Sequence, residues 1–246
     1  FDLQALERQR PQEPWATGFL VEVDLGVEFR ADREGPWHIW ELPPPKPPMM
    51  TQPLIRCVIG ADVAEGLVTG DYSVAVVRDG MDRGLKAALR TKMDTDEFAH
   101  ELIKVGRFYH NAVVLCEREG PGYAVNLDLI RGYGNVWHER FIEKDGMPVT
   151  KKFGWSTNPR TRPIMLAQMR EEVRTGAAVL RDARLIEEGK VFAVNEDGKP
   201  EASEGYHDDF VMAFAIAGMG IQLMQTMKPA RRPRPMLEPQ TSNLAG

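Results

Sequence analysis

The sequence predicts an α/β layered fold built on a mixed sheet. Three observations carry the prediction: short β-prone apolar runs spaced as a meander, a later alternation of helical and strand-like segments, and 43% hydrophobic against 27% charged residues over 246 positions. Against about 100 to 200 residues per domain, this length fits one large domain with appendages. No stretch approaches the roughly 18 to 20 continuous apolar residues of a membrane span, and the N-terminus lacks a basic-then-apolar signal, so neither a membrane protein nor a secreted precursor is expected.

In chain order, residues 1–14 read as the end of a helix (FDLQALERQR) stopped by Pro11 and Pro14, beginning without Met as a piece of a longer chain would. From Gly18 to Leu42, GFLVEVDLGVEF and PWHIWELP flank the turn-rich ADREG and predict a small β-hairpin. PPPKPP at 43–48 suits neither helix nor sheet and reads as a stiff linker, which makes 1–48 a connector. The main domain, 49–227, then opens with IRCVIGAD at 55–62, YSVAVVRD at 72–79 and LKAALRTKM at 85–93 as three strands. Asp94 with Glu97 resembles a capping box for a helix through FAHELIKVGRFYH. AVVLCE at 112–117 is a fourth strand, Pro121 opens a helix through YAVNLDLIRGY, and VWHERF is a fifth strand. EKDGMPVTKKF at 143–153 reads as a hairpin or loop with basic flanks, 161–175 as a helix, 191–205 as irregular and 206–227 as a final helix. The proline-rich, basic 228–246 is too polar to pack and is expected to be disordered. The order of elements is close to a ribonuclease H-like topology.

Charge is unevenly spread. The net formal charge is -5, yet residues 131–174 hold nine Lys or Arg against five acids, and 228–246 hold four against one. The rest of the chain is therefore strongly acidic, as expected of a metal-seeking centre beside a basic surface that meets phosphates.

Three acidic positions sit at the edges of apolar elements. Asp62 ends the first strand of the main domain, Glu117 ends the fourth, and Asp208 with Asp209 opens the last helix. If the first and fourth strands are parallel neighbours, Asp62 and Glu117 project into one crevice at their C-terminal ends, where a helix adds the third carboxylate. Carboxylates so close repel unless cations neutralise them, and hard oxygen donors suit magnesium or manganese. Each acid also has an ordinary reading, since acids cap loops and helix N-termini without any metal; their conjunction points to the metal. Asp71 and His207 are assigned outer positions, and Glu119, two residues beyond Glu117, is a reserve ligand. Cys57 and Cys116 lack a C-x-x-C partner, exclude a zinc ribbon or disulfide framework, and are expected as small buried residues beneath the acids.

GADVAEGLVTGDYSVAVV at 60–77, VVLCEREGPG at 113–122, GWSTNPRTRPIMLAQM at 154–169 and EGYHDDFVMAFAIA at 204–217 resemble, in the same order, the nuclease domain of the large terminase subunit of tailed bacteriophages. The resemblance spans about residues 16–225, with the first and last motifs the most specific. It implies that Asp62, Glu117 and Asp208 or Asp209 bind two catalytic ions, Mg2+ or Mn2+, and gives Arg162, in the N-x-R-T-R segment, a structural or phosphate role. One departure stands out: no G-x-x-x-x-G-K-[ST] phosphate loop occurs, so the chain resembles the nuclease half alone.

The resulting expectation is a metal-dependent endonuclease cutting concatemeric double-stranded viral DNA during genome packaging, in the cytoplasm of the infected bacterial host. Lys151, Lys152, Arg160 and Arg162 are the expected DNA contacts. The resemblance implies an N-terminal ATPase domain in the full-length chain, the small terminase subunit and the portal as partners. Rival readings are a resolvase or integrase nuclease of the same fold and a non-catalytic DNA-binding or docking module. A third, a His-Asp phosphohydrolase pairing His207 and Asp208 with His100 or His110, requires a helical metal site.

Overall fold

The computed structural model describes residues 1–43, 57–66, 71–141, 150–194, 200–202 and 207–226. Among these, a seven-stranded mixed sheet runs in the order β2-β1-β3-β6-β5-β4-β7. Its strands are β1 (Ala16–Val23), β2 (Gly26–Ala31), β3 (Trp37–Ile39), β4 (Cys57–Asp62), β5 (Ser73–Asp79), β6 (Leu85–Thr91) and β7 (Val113–Cys116). β4, β5 and β6 form the expected meander, β4 and β7 pair in parallel, and helices cover both faces, which is the ribonuclease H-like arrangement.

The two faces follow from strand periodicity. Val58 of β4, Val74 and Val76 of β5, Ala88 of β6 and Leu115 of β7 join one core cluster, while Ile59, Ala75, Val77, Leu89 and Val114, one residue out of step, join the other. The first face is covered by α4 (Thr161–Thr175), α5 (Ala183–Val191) and α6 (Asp209–Thr226), with the short α1 (Leu3–Arg8) against α4 and α5. The second is covered by α2 (Thr95–Phe108) and α3 (Gly122–Gly132). Burial on both faces explains why β4 to β6 read as continuous apolar runs rather than alternating ones. Contact with β4 is closest at Gly60, where a Cβ would meet the Ala213 carbonyl oxygen at 2.1 Å; only glycine lets α6 lie this close to the strand that ends in Asp62.

Several expectations need correction. The N-terminal hairpin turns at Asp24–Leu25, between Val23 and Gly26, whose φ of 144° suits glycine; ADREG instead crosses to β3. β3 pairs with both β1 and β6, so these strands extend the main sheet. VWHERF meets β7 at an isolated Val114–Val136 bridge, and β8 (His138–Phe141) pairs instead with β9 (Thr150–Phe153); adjacent charges at Glu139 and Arg140 suit a sheet between two apolar layers poorly. In the stretch expected to be irregular, β10 (Phe192–Val194), which follows α5, pairs antiparallel with β11 (Pro200–Ala202). Asp182 caps α5 by accepting from the Arg184 backbone N–H at 2.8 Å, whereas Asp94 precedes α2 without making a side-chain cap. The proline linker, the domain boundary at 48 and the tail 228–246 lie outside the described residues, apart from Pro43.

Candidate active site

β4 and β7 pair with Val58 opposite Val113 and Ala61 opposite Cys116, and the Glu117 N–H donates to the Ala61 carbonyl at 2.9 Å. Asp62 and Glu117 are therefore adjacent. Each is in step with the residues facing α6, and their carboxyls make a side-chain hydrogen bond. Burial, that hydrogen bond and the charges of Glu117, Asp209 and Asp208 hold the Asp62 carboxyl well above its ordinary pKa. A cation bound there would relieve this crowding of like charges.

α6 brings the third acid from above the sheet. Asp209, its first residue, is 5% exposed and accepts from the Tyr72 backbone N–H at 3.2 Å. Burial and the neighbouring acids raise its pKa to about 6, against the hydrogen bond from Tyr72 and the His207 ring. Asp208 differs: its carboxylate takes an ion pair from Arg162 of α4 at 2.7 Å, while its backbone carbonyl accepts the Met212 N–H in the first turn of α6. On the rim, His207 Nδ1 lies 3.1 Å from Asp71 and 3.8 Å from Asp209, and these three residues offer ligand atoms within 4.8 Å of one another. Asp62, Glu65, Asp71, Asp208 and Asp209 line one cleft of about 410 Å³ together with Tyr72 and Pro121.

Other sequence-singled residues fall elsewhere. Glu119 is turned to the 156–158 loop, accepting from Ser156 Oγ at 2.6 Å and the Thr157 N–H at 3.2 Å, so it ties that loop to the end of β7 rather than joining the acids. Lys151 and Lys152 are exposed on β9, a segment tied to the site because Trp155, two residues beyond it, bridges Glu117. Arg160 precedes α4, exposed. Cys57 and Cys116 are buried and form no disulfide, as expected, but both face α2 and α3 on the side away from the acids, and Cys57 lies at the opposite end of β4. His100 and His110 belong to α2 and the turn after it, on that same far side, so neither meets His207 and Asp208.

Sequence reasoning missed two supports. Glu188 of α5 is buried and accepts from the N–H groups of Phe210 and Val211 at 2.8 and 3.3 Å, capping the helix that carries Asp209. Its pKa is raised to about 7, chiefly by burial. Ser73 Oγ accepts from the Ala64 N–H at 3.1 Å and so steadies the loop leaving Asp62. A glutamate inside a charged helical stretch gives no sign in sequence of serving a different helix.

Solved structures share this fold. The large terminase nuclease from thermophilic phage G20c with bound magnesium matches with a TM-score of 0.58 at 18% identity, over 88% of this chain and 95% of that one. The fold is that of the large terminase nucleases. The cobalt-bound form of the same phage protein matches equally well, and the Thermus phage P74-26 large terminase nuclease domain matches at 0.54 and 17% identity, over 87% of this chain and 92% of that one. No protein-family model matches the sequence, and no curated protein matches it at a significant level. Among the described residues no helix is long and apolar enough to cross a membrane.

Proposed function

We propose that the chain is a metal-dependent endonuclease that cuts concatemeric double-stranded DNA during phage genome packaging, working in the host cytoplasm with an ATPase domain, a small terminase subunit and a portal as partners. The observation that carries the proposal is that Asp62 and Asp209, from a strand end and a helix N-terminus, line one cleft with further acids, while Glu117, from the neighbouring strand end, is hydrogen-bonded to Asp62. Support also comes from terminase nucleases of the same fold, solved with magnesium, cobalt and zinc.

The donor set fits hard divalent cations. Carboxylate oxygens converge, burial and then their mutual crowding raise two pKa values, and the cleft leaves room for water. Asp62, Glu117 and Asp209 would hold two ions, Mg2+ or Mn2+, with Asp71 and His207 at the outer edge. Such a pair, when bound, supplies an activated water and a clamp on the departing oxygen, leaving 3′-hydroxyl and 5′-phosphate ends. The chain's own residues do the positioning. Tyr72 N–H fixes the Asp209 carboxylate, Arg162 fixes Asp208, and the Glu188 cap fixes the helix that carries both. Lys151 and Lys152, with Arg160, would meet backbone phosphates on the Glu117 side.

Incubating the protein with linear duplex and with four-way junctions, in Mg2+ or Mn2+ and in EDTA, tests this. Cation-dependent cutting of linear duplex is expected. Cutting confined to junctions would replace the reading with a resolvase, and duplex binding with no cutting under any cation would replace it with a docking module.

A further inference from the structure

On the far side of Tyr72 from the carboxylates lies a second hollow of about 460 Å³, bounded by Arg90, Arg184, Glu187, Glu188 and His207 among others. Two cations sit over one ring: the Arg90 guanidinium carbon is 4.0 Å from the Tyr72 centroid and Lys92 Nζ is 4.6 Å away. Arg184 approaches from α5, 4.9 Å from the Phe210 ring, and His207 meets Tyr72 edge-on at 5.5 Å, standing between hollow and cleft. Register fixes where this lies. Asp62 pairs with Val74, and Val74 pairs with Arg90, so Arg90 shares the face and the sheet end of Asp62. Two strand spacings, about 10 Å, separate their backbones.

Of the cations here, Arg184 already donates its Nε and Nη2 to Asp182, whereas Arg90 faces Glu188 at long range. Glu187 pairs with Lys190 and Asp182 with Arg184, each at 2.7 Å. Glu188 gives one oxygen to the α6 N-terminus, and its other lies 3.8 Å from Arg90 Nη1, beyond hydrogen-bond length. Arg90 Nε is buried and makes no hydrogen bond. A guanidinium stacked on an aromatic ring is held in plane with its fork directed, and a buried donor without an acceptor is costly until one arrives.

We propose that Arg90, with Lys92, forms a phosphate-binding subsite for the strand being cut. The proposal rests on the nuclease reading above. A phosphodiester oxygen pair matches the guanidinium fork, and with about 3.4 Å of rise per nucleotide the subsite takes a phosphate within about three nucleotides of the scissile bond. It grips the DNA on the flank opposite Lys151 and Lys152, so the acidic cleft lies between two cationic contacts.

The test measures anisotropy of a short labelled duplex in Ca2+ across a salt series, with cleavage of the same duplex in Mg2+. Arg90→Gln should weaken binding about tenfold and lower the slope of log K against log salt by about one, whereas Arg90→Lys should keep the slope. Lys92→Gln, at a half-exposed position, should weaken binding about threefold, and it decides alone if Arg90→Gln melts well below wild type. Wild-type affinity and slope in folded Arg90→Gln and in Lys92→Gln, from a protein that does cut duplex, would overturn the subsite and leave the nuclease standing. A wild-type protein that neither binds nor cuts duplex would overturn both.

Discussion

Two charged clusters lie against α6 at opposite ends of β5, and they are built on opposite rules. At the C-terminal end, fully buried Arg78 donates to Glu172 at 2.6 Å, to the Arg83 carbonyl at 2.9 Å and to the Phe214 carbonyl at 3.1 Å, and lies 3.8 Å over the Phe214 ring. Arg83 adds a second ion pair to Glu172 at 2.7 Å. Every charge there has an opposite within reach. At the N-terminal end, Asp62, Glu117, Asp209 and Asp71 gather with His207, and among the described residues only Asp208 has an arginine. The first cluster is complete as folded and joins β5, α4 and α6. The second is left short of positive charge, an arrangement that costs stability and makes sense where cations bind.

The largest expected effect breaks the unpaired cluster. Asp62→Asn or Glu117→Gln should lower cleavage by roughly a thousandfold, because each removes a ligand from the reacting centre. The same variants should melt no lower than wild type in EDTA, since a like charge is relieved. Wild-type cleavage by either folded variant would remove the strand acids from catalysis. Next comes the paired cluster. Glu172→Ala strands buried Arg78 without its carboxylate and should cost about 3–5 kcal/mol in urea unfolding, with cleavage per folded molecule within about twofold of wild type. A small stability loss with a large activity loss would mean that the two clusters are not independent.

The clusters should also titrate in opposite senses. Asp209 has its folded pKa raised from 3.8 to about 6 and Glu188 from 4.5 to about 7, so the folded state binds their protons more tightly than the unfolded chain does. Their contribution to stability is present below about pH 4 and is lost as pH rises towards 6 and 7, on the order of 3 kcal/mol for Asp209. Glu172 is held below its ordinary value of 4.5 by Arg78, so its contribution is present above that pH and is lost as pH falls through the folded pKa. Melts in EDTA across this range should show Asp209→Asn flattening the decline above pH 4. An unchanged slope in that variant would place Asp209 outside the strained group.

The same contrast explains what the sequence let one read. Asp62 and Glu117 were legible because each interrupts an apolar run at a strand end, and parallel pairing of those strands follows from the element order. The sheet's extension through β3 was not, because Trp37–Ile39 is too short to declare a partner and ADREG looked like the tight turn. Nor was the completion of Arg78, which depends on Glu172, 94 residues away. Long-range ion pairs leave no periodicity. Arg162 was singled out for its place in a motif, yet only the fold shows that its charge goes to Asp208.

That last pair gives the smallest and most discriminating test, because Asp208 is a paired acid inside the unpaired cluster. Neighbours on a helix point about 100° apart, and here the difference sends Asp209 inward to Tyr72 N–H and Asp208 to Arg162. Asp209→Asn should therefore cut cleavage by about a hundredfold or more and weaken Mn2+ binding. Asp208→Asn should cost only about tenfold, the range of an outer residue that orients its neighbours, and raised Mn2+ should rescue it. Arg162→Gln should match Asp208→Asn, and the double variant should lose little beyond either single change, since both remove one contact. Calorimetric titration of each with Mn2+ reads this directly. Additive losses in the double variant would show that Asp208 binds the cation itself and that Arg162 acts elsewhere, which would move Asp208 from the paired side of the comparison to the unpaired one.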